Sequence, residues 1–560
     1  MSAPTQSPDH TQRAPTNLLC LLLAALGCSG ADDRAGSVVP EVSPARLEEH
    51  IRYLASDRLG GRGTGTVGYD SAAHYVAGHF AALGLDSAGT NGYLQPVPLR
   101  HARAVEGSRL VLIGKSGPRT LTPYRDYVPI PNFVSLQSEV TAPLVFVGFG
   151  VSAPERGYDD YGGVDPQGKI VVLLTGAPSS FPTAERAHYA APRSKRENAA
   201  RRGAVGMLIV RGREQTFPWD RLVRQSRAGD MRWLDRAGKP ADVSPALRGV
   251  AALSDREAPA LFEGAPQSLD AVLTAAEAGR PPAFDLPLQG TVHTVSVHER
   301  LESPNVAGLL RGSDSRLREE VVVYTAHLDH LGIGEKVEGD SIYNGALDNA
   351  SGSAGLLEVA RAFATLPQPP RRSVLFLAVT GEEKGLLGSD YFAEHPTVPM
   401  ERIVANVNLD GLALLYPLRE IVAFGADHST LDSTVARAAK RLGVTVGPDP
   451  FPQEVFFVRS DQYSFVRRGI PSLFPFMGLR SDSGVDAPAR FKEWFARRYH
   501  TPQDDVDQPM DFDSGARQAQ LDFLVGLEIA GADERPKWKP GDFFERTFQR
   551  KAVETTTSPE

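Results

Sequence analysis

A succession of short apolar runs, separated by segments of helical periodicity, constrains the fold of this 560-residue chain more than any other feature. Candidate strands lie at Asn305–Leu310, Glu320–Thr325, Ser373–Val379, Ile403–Leu409 and Glu420–Phe424. Helices are expected over Ser351–Ala364, Gly385–Ala393 and Leu431–Leu442. Strands alternating with helices of this length predict an α/β/α sandwich around a mostly parallel, mixed sheet. Hydrophobic content of 41% and charged content of 23% are those of a soluble globular protein. The length exceeds one ordinary domain and allows a large core.

Ahead of this region, helices are expected from Pro44 and over Val67–Leu83, joined by the Gly-rich turn Gly60–Gly65. That turn lacks the Gly-Lys-Ser/Thr ending and the leading strand of a phosphate loop, so it reads as structural. The pattern changes near residue 140. Pro143–Gly150, Lys169–Leu174 and Val205–Val210 read as short buried strands, with a helical stretch at Arg193–Arg202 between the last two. This predicts a β-rich domain inserted over 138–290, dividing the main domain into 44–137 and 291–532. Residues 533–560 are charged and Pro-containing and read as a loosely held tail. No internal repeat is found.

The cysteines, Cys20 and Cys28, both lie in or beside the apolar run Leu18–Leu26. That run is too short to span a bilayer and fits the core of an export signal over 1–29. Gly27-Cys28 resembles a bacterial lipoprotein junction, although Ala25 stands where Leu is usual. Export to the cell envelope or beyond is expected, with lipid attachment at Cys28 and a linker over 30–43. Cleavage there leaves no thiol in the folded part, so a metal must be held by His, Asp and Glu. A net charge of −8 carries no footprint of a nucleic-acid partner. Oligomeric state is not legible.

In open α/β sheets, sites form at the carboxyl ends of strands. His327 and Asp329 follow one candidate strand, Glu382-Glu383 the next and Asp410 a third, while Asp348 precedes a helix. Each alone has a plain structural explanation: Asp348 as a helix cap, Glu382-Glu383 as a first-turn acidic pair, His500 as a loop histidine. Together, acids at the ends of successive apolar strands indicate a metal centre assembled from several loops, and hence a metallohydrolase.

The motifs Asn305-Val-Ala-Gly-Leu-Leu-Arg-Gly312, Ala326-His327-Leu-Asp329-His330, Gly345-Ala-Leu-Asp348-Asn349-Ala-Ser-Gly352, Thr380-Gly-Glu382-Glu383-Lys-Gly-Leu-Leu-Gly388-Ser389, Asn406-Val-Asn-Leu-Asp410, Arg459-Ser-Asp461 and Tyr499-His500-Thr-Pro-Gln-Asp-Asp505 resemble those of the M28 family of zinc peptidases. The segment 138–290 resembles the protease-associated domain that many members carry. The resemblance implies two zinc ions per chain and peptide substrates. His327 and Asp410 would bind one ion, Glu383 and His500 the other, and Asp348 would bridge them. Glu382 would be the general base. Asp329 would accept the second ring N–H of His327, leaving His330 a bystander. Gln462 departs from the usual His or Tyr after Ser-Asp and is expected to bear on substrate contact. The complete ligand set argues against receptor-like members that have lost ligands, and glutaminyl cyclase activity fits it poorly. The expected activity is that of an aminopeptidase. A carboxypeptidase or dipeptidase using the same centre, or a binding protein keeping only the fold, are the alternatives. Glu382 itself and the region of Gln453-Glu454 and Arg459 are where capture of a substrate terminus is to be sought. Ser351-Gly-Ser353 only approximates a nucleophile elbow, and no His-Glu-x-x-His helix is present.

Overall fold

The computed structural model describes residues 39–213, 218–481 and 484–549. The export signal, Cys28 and most of the linker lie outside the described residues, as does the tail from 550.

The predicted alternation of strands and helices is realised, with close bounds for Ser373–Val379, Ile403–Asn408, Glu420–Phe424 and Leu431–Leu442; Asn305–Leu310 is only the end of a much longer strand, and the strand Ser472–Met477 and the helix Phe512–Gly531 were not anticipated. Val321–His327, Ser373–Val379, Ile403–Asn408 and Ser472–Met477 form a parallel core. Antiparallel strands flank it, Ala283–Leu310 on one side and Glu420–Phe424 on the other. Period-two alternation sends consecutive residues to opposite faces, and both faces are covered. Val321, Val323, Leu375 and Leu377 pack with Phe392 and Phe465 on one face. On the other, Tyr324 meets Phe376 and Phe363, and Phe363 meets Phe523 of the long helix Phe512–Gly531. This is why the runs are buried at every position and mostly apolar.

A further run of sheet, continuous with the first through Ala283–Leu310, lies where the β-rich insertion was expected, but its extent differs from expectation. The hairpin Arg109–Gly114 and Gly117–Leu121 belongs to it, well before residue 138, and pairs with Gln289–His293 far along the chain. Such non-local pairing leaves no local trace. The far boundary is equally blurred. The 28-residue strand Ala283–Leu310 pairs with the insertion's sheet in its first half and with the main sheet in its second.

Residues 533–549 are not a loose tail. Trp538, Phe543, Phe544 and Phe548 are buried, the Trp538 indole N–H donates to the Gly469 carbonyl at 2.8 Å, and Asp542 accepts from His428 at 2.6 Å. A few aromatic side chains bury enough area to hold a segment whose composition is otherwise charged.

Candidate metal centre

The predicted residues converge at the carboxyl ends of the parallel strands. His327 ends its strand, Asp410 lies just beyond Asn408, and Glu382 and Glu383 form a short turn after Val379. The Asp348 loop is held from several sides. Asp504 accepts the backbone N–H groups of Leu347 and Asp348, both at 3.0 Å. Asn349 accepts from Gly352 and Gly411 at 2.9 Å, tying this loop to that of Asp410. Gly345 has φ 59°, and a Cβ there would stand 2.4 Å from the His330 ring, so only glycine fits.

Asp348 stands in the middle. Its Oδ1 is 3.3 Å from His327 Nε2, which also lies 3.2 Å from Asp410 Oδ1. Its Oδ2 is 3.1 Å from His500 Nε2, which lies 3.2 Å from Glu383 Oε2. One carboxylate thus faces two histidine–carboxylate pairs. His330, read from sequence as a bystander, is fully buried with Nδ1 2.7 Å from Glu383 Oε1, and joins Asp348 and Glu383 as a potential ligand group. Its i+3 spacing from His327 was the available signal.

Asp329 also departs from expectation. The ring nitrogen Nδ1 of His327 meets the backbone carbonyl of Asp329 at 3.1 Å, not its carboxylate. The carboxylate turns away and accepts from the N–H of Glu382 (3.1 Å), the N–H of Glu383 (3.4 Å) and the Thr64 hydroxyl (3.0 Å). At two residues' separation the carbonyl is the nearer acceptor, so the side chain is free to brace the neighbouring turn. Gln462 is fully buried, accepts from Asn408 and donates to the Phe457 carbonyl, so it cannot reach a substrate. Ser351 and Ser353 donate to the carbonyls of Leu347 and His327, which removes them as nucleophiles.

Sequence reasoning missed Arg62 and Thr64, in the turn dismissed as merely structural. The fully buried Arg62 guanidinium donates to the carbonyls of Leu54, Leu328, Asn344 and Gly345. It thereby fixes the loops bearing Asp329 and Asp348. Burial lowers its pKa to about 10, against the pull of Asp329, Asp348, Asp504 and Glu383.

The charge balance tests whether cations fit here. Asp329, Asp348, Asp461 and Asp504 are buried, and Glu382, Glu383 and Asp410 open only partly to the cleft. One buried guanidinium cannot offset them, and buried charges must be paired. Burial alone would lower the His500 pKa, yet the Glu383 carboxylate and hydrogen bonds to Asp348 and Glu383 raise it to about 9. His327 is driven up likewise, its burial outweighed by Asp410 and Glu382. The cluster demands positive charge. Divalent cations meet that demand while leaving the imidazoles neutral donors, and a mixed His–carboxylate set is of the right kind. Burial pushes the Glu382 carboxyl well above the usual carboxylate range; His327 opposes this and Asp410, Asp461 and Glu383 reinforce it.

A cleft of about 740 Å³ opens beside the centre, lined by Glu382, Glu383 and His500 together with Trp233 and Gln225 of the inserted region. A smaller pocket beside Asp348 and Asp410 is lined by Phe456, Phe474, Phe476, Phe491 and Trp494.

Fold and centre together define an α/β sandwich with a histidine–carboxylate site suited to divalent cations. Residues 305–521 match the model of peptidase family M28. Aminopeptidase NAALADL1 of Mus musculus is 38% identical over 22% of this chain and 16% of its own length. Aminopeptidase YwaD of Bacillus subtilis is 31% identical over 42% of this chain and 46% of its own. The chain therefore spans less than half the length of these curated relatives. A solved aminopeptidase from Aneurinibacillus sp. strain AM-1 shares the fold over 90% of this chain and 97% of its own, with TM-score 0.53 and 20% identity. The chain carries a peptidase family M28 domain. Among the described residues no helix is long and apolar enough to cross a membrane.

Proposed function

We propose that the protein is an exported zinc aminopeptidase with two metal ions, held by His327 and Asp410 on one side, by Glu383 and His500 on the other, and bridged by Asp348. The observation that carries this reading is the central carboxylate, with Oδ1 toward His327 and Oδ2 toward His500. Bound there, zinc supplies Lewis acidity and lowers the pKa of a water at the centre. Glu382 takes a proton at its carboxylate and hands it to the leaving amine. Asp329 and Thr64 hold the turn that aims Glu382, and the inserted region, which we read as a protease-associated domain, limits access to the cleft. The Leu18–Leu26 run and Cys28 support export with a lipid anchor; labelled palmitate on the parent but not on Cys28→Ser tests it.

Metal analysis with a panel of aminoacyl-p-nitroanilides tests the activity. Chelator-sensitive turnover, lost in Glu382→Gln with zinc retained, is expected. Absence of zinc and of turnover on any peptide sinks the proposal. A second reading, release of C-terminal residues, rests on Arg459, whose guanidinium lines the cleft beside Tyr499. Preferential cleavage of N-terminally blocked peptides would favour it.

A further inference from the structure

The helix Trp219–Ala228 of the inserted region reaches the metal centre. Gln225 Nε2 lies 3.4 Å from His500 Nδ1. The opposite ring nitrogen, Nε2, is the one turned to Asp348 and Glu383. An imidazole can give its Nε2 lone pair to a cation only with its proton on Nδ1, and that proton needs an acceptor. His327 finds one in its own loop, the Asp329 carbonyl. For His500, Gln225 is the hydrogen-bond partner of Nδ1 among the described residues. A carboxamide suits the task, because a half-turn about its last bond brings Oε1 to the same place.

The helix is anchored on both sides. Val223 packs with Val128 and Ala252 of the insertion's sheet. Arg227 pairs with Glu335 at 3.2 Å, and Lys384, next to Glu383, reaches the Gly229 carbonyl at 3.5 Å just past the helix end.

We propose that Gln225 is a positioning residue that orients His500 for cation binding, so that one half of the centre is complete only with the insertion docked. This rests on the reading of His500 as a ligand given above. The test uses the full chain with Gln225→Met, of similar shape without an acceptor, and Gln225→Glu, which keeps one. Zinc affinities are read by chelator competition and the ligand field by cobalt(II) absorption, beside a thermal melt. Partners of this kind are worth about 10–100-fold in metal affinity. Gln225→Met is expected to weaken one of the two ions by that factor and shift the cobalt spectrum, with kcat falling and KM held. Gln225→Glu restores affinity and spectrum. Should Gln225→Met fold poorly, Gln225→Asn, one methylene too short to reach, is expected to lose the same ion. Wild-type zinc affinity and spectrum in Gln225→Met or Gln225→Asn, or a change confined to KM, overturn this inference alone. A parent chain that binds no divalent cation overturns the functional reading with it.

Discussion

Replacing Asp329 by Asn isolates what its carboxylate does. Oδ1 accepts the Glu382 N–H; Oδ2 accepts the Glu383 N–H and the Thr64 hydroxyl. A carboxamide can serve one side only. If it keeps Glu382, its amino group faces the Glu383 N–H, and the Thr64 hydroxyl must turn to accept. One backbone N–H is then left unpaired, and the remaining bond changes from charged to neutral. Hydrogen bonds to charged groups contribute about 1.5–3 kcal/mol and neutral ones about 0.5–1.5. The lost and weakened bonds together therefore cost roughly 3 kcal/mol. Burial pushes the Asp329 carboxyl upward, so removing its charge returns part of this. A net destabilisation of about 2 kcal/mol is expected, read as a lower urea midpoint at constant slope. The Glu382–Glu383 turn loosens, and a displacement near 1 Å costs about 10²-fold in kcat/KM. Stability within about 0.5 kcal/mol of the parent and unchanged turnover would refute the bracing role. So would selective loss of the ion at His327 and Asp410, which would return the carboxylate to orienting His327.

Glu382→Gln is expected to lower kcat by about 10²–10⁴-fold while metal analysis finds zinc undiminished. Arg62→Met strands four buried carbonyls and leaves the nearby carboxylates uncompensated, which should cost about 3–5 kcal/mol in chemical denaturation. Stripping the cations with a chelator should lower the melting temperature, by the equivalent of about 4 kcal/mol where free zinc had been 1,000-fold above its Kd; an unchanged melt would mean that the cluster binds none. Lys195 is held down to about 7 by burial, against the pull of Asp160. Its folded pKa lies below the unfolded value, so the unfolded chain binds the extra proton between about pH 7 and 10 and stability rises through that window. The slope is at most about 1.4 kcal/mol per pH unit, and it should vanish in Lys195→Met when denaturation is repeated at pH 7, 8 and 9.

Val321–His327 and Ser373–Val379 were legible because strands buried on both faces are mostly apolar; Ser472–Met477, equally buried but interrupted by Pro475, was not read as a strand. A helix start was legible where helical periodicity opens on a proline, as at Pro44–Leu54. The insertion's limits were not, because Arg109–Gly114 pairs with residues some 180 positions away and pairing at that distance is set by tertiary contact, not by local pattern. Nor was the packing of Trp538 against Gly469 and of Phe544 against His428 and Phe457, all far away in sequence.

In the centre, residue type and strand-end position nominated His327, Glu382, Glu383 and Asp410, since the ends of parallel strands are the natural meeting place of loops, while the roles of Asp348 and His500 came from the family motifs around them. Which atom faces which group was decided only by the fold. It turned the Asp329 carboxylate from His327 to the Glu382–Glu383 turn, drew His330 against Glu383, and buried Gln462. It also set Arg62 beneath the site and brought Gln225 to it on the helix Trp219–Ala228. A sequence records which donors and acceptors a chain carries. Their partners depend on distance and direction in three dimensions, and a buried polar group takes whichever acceptor the packed backbone leaves within reach.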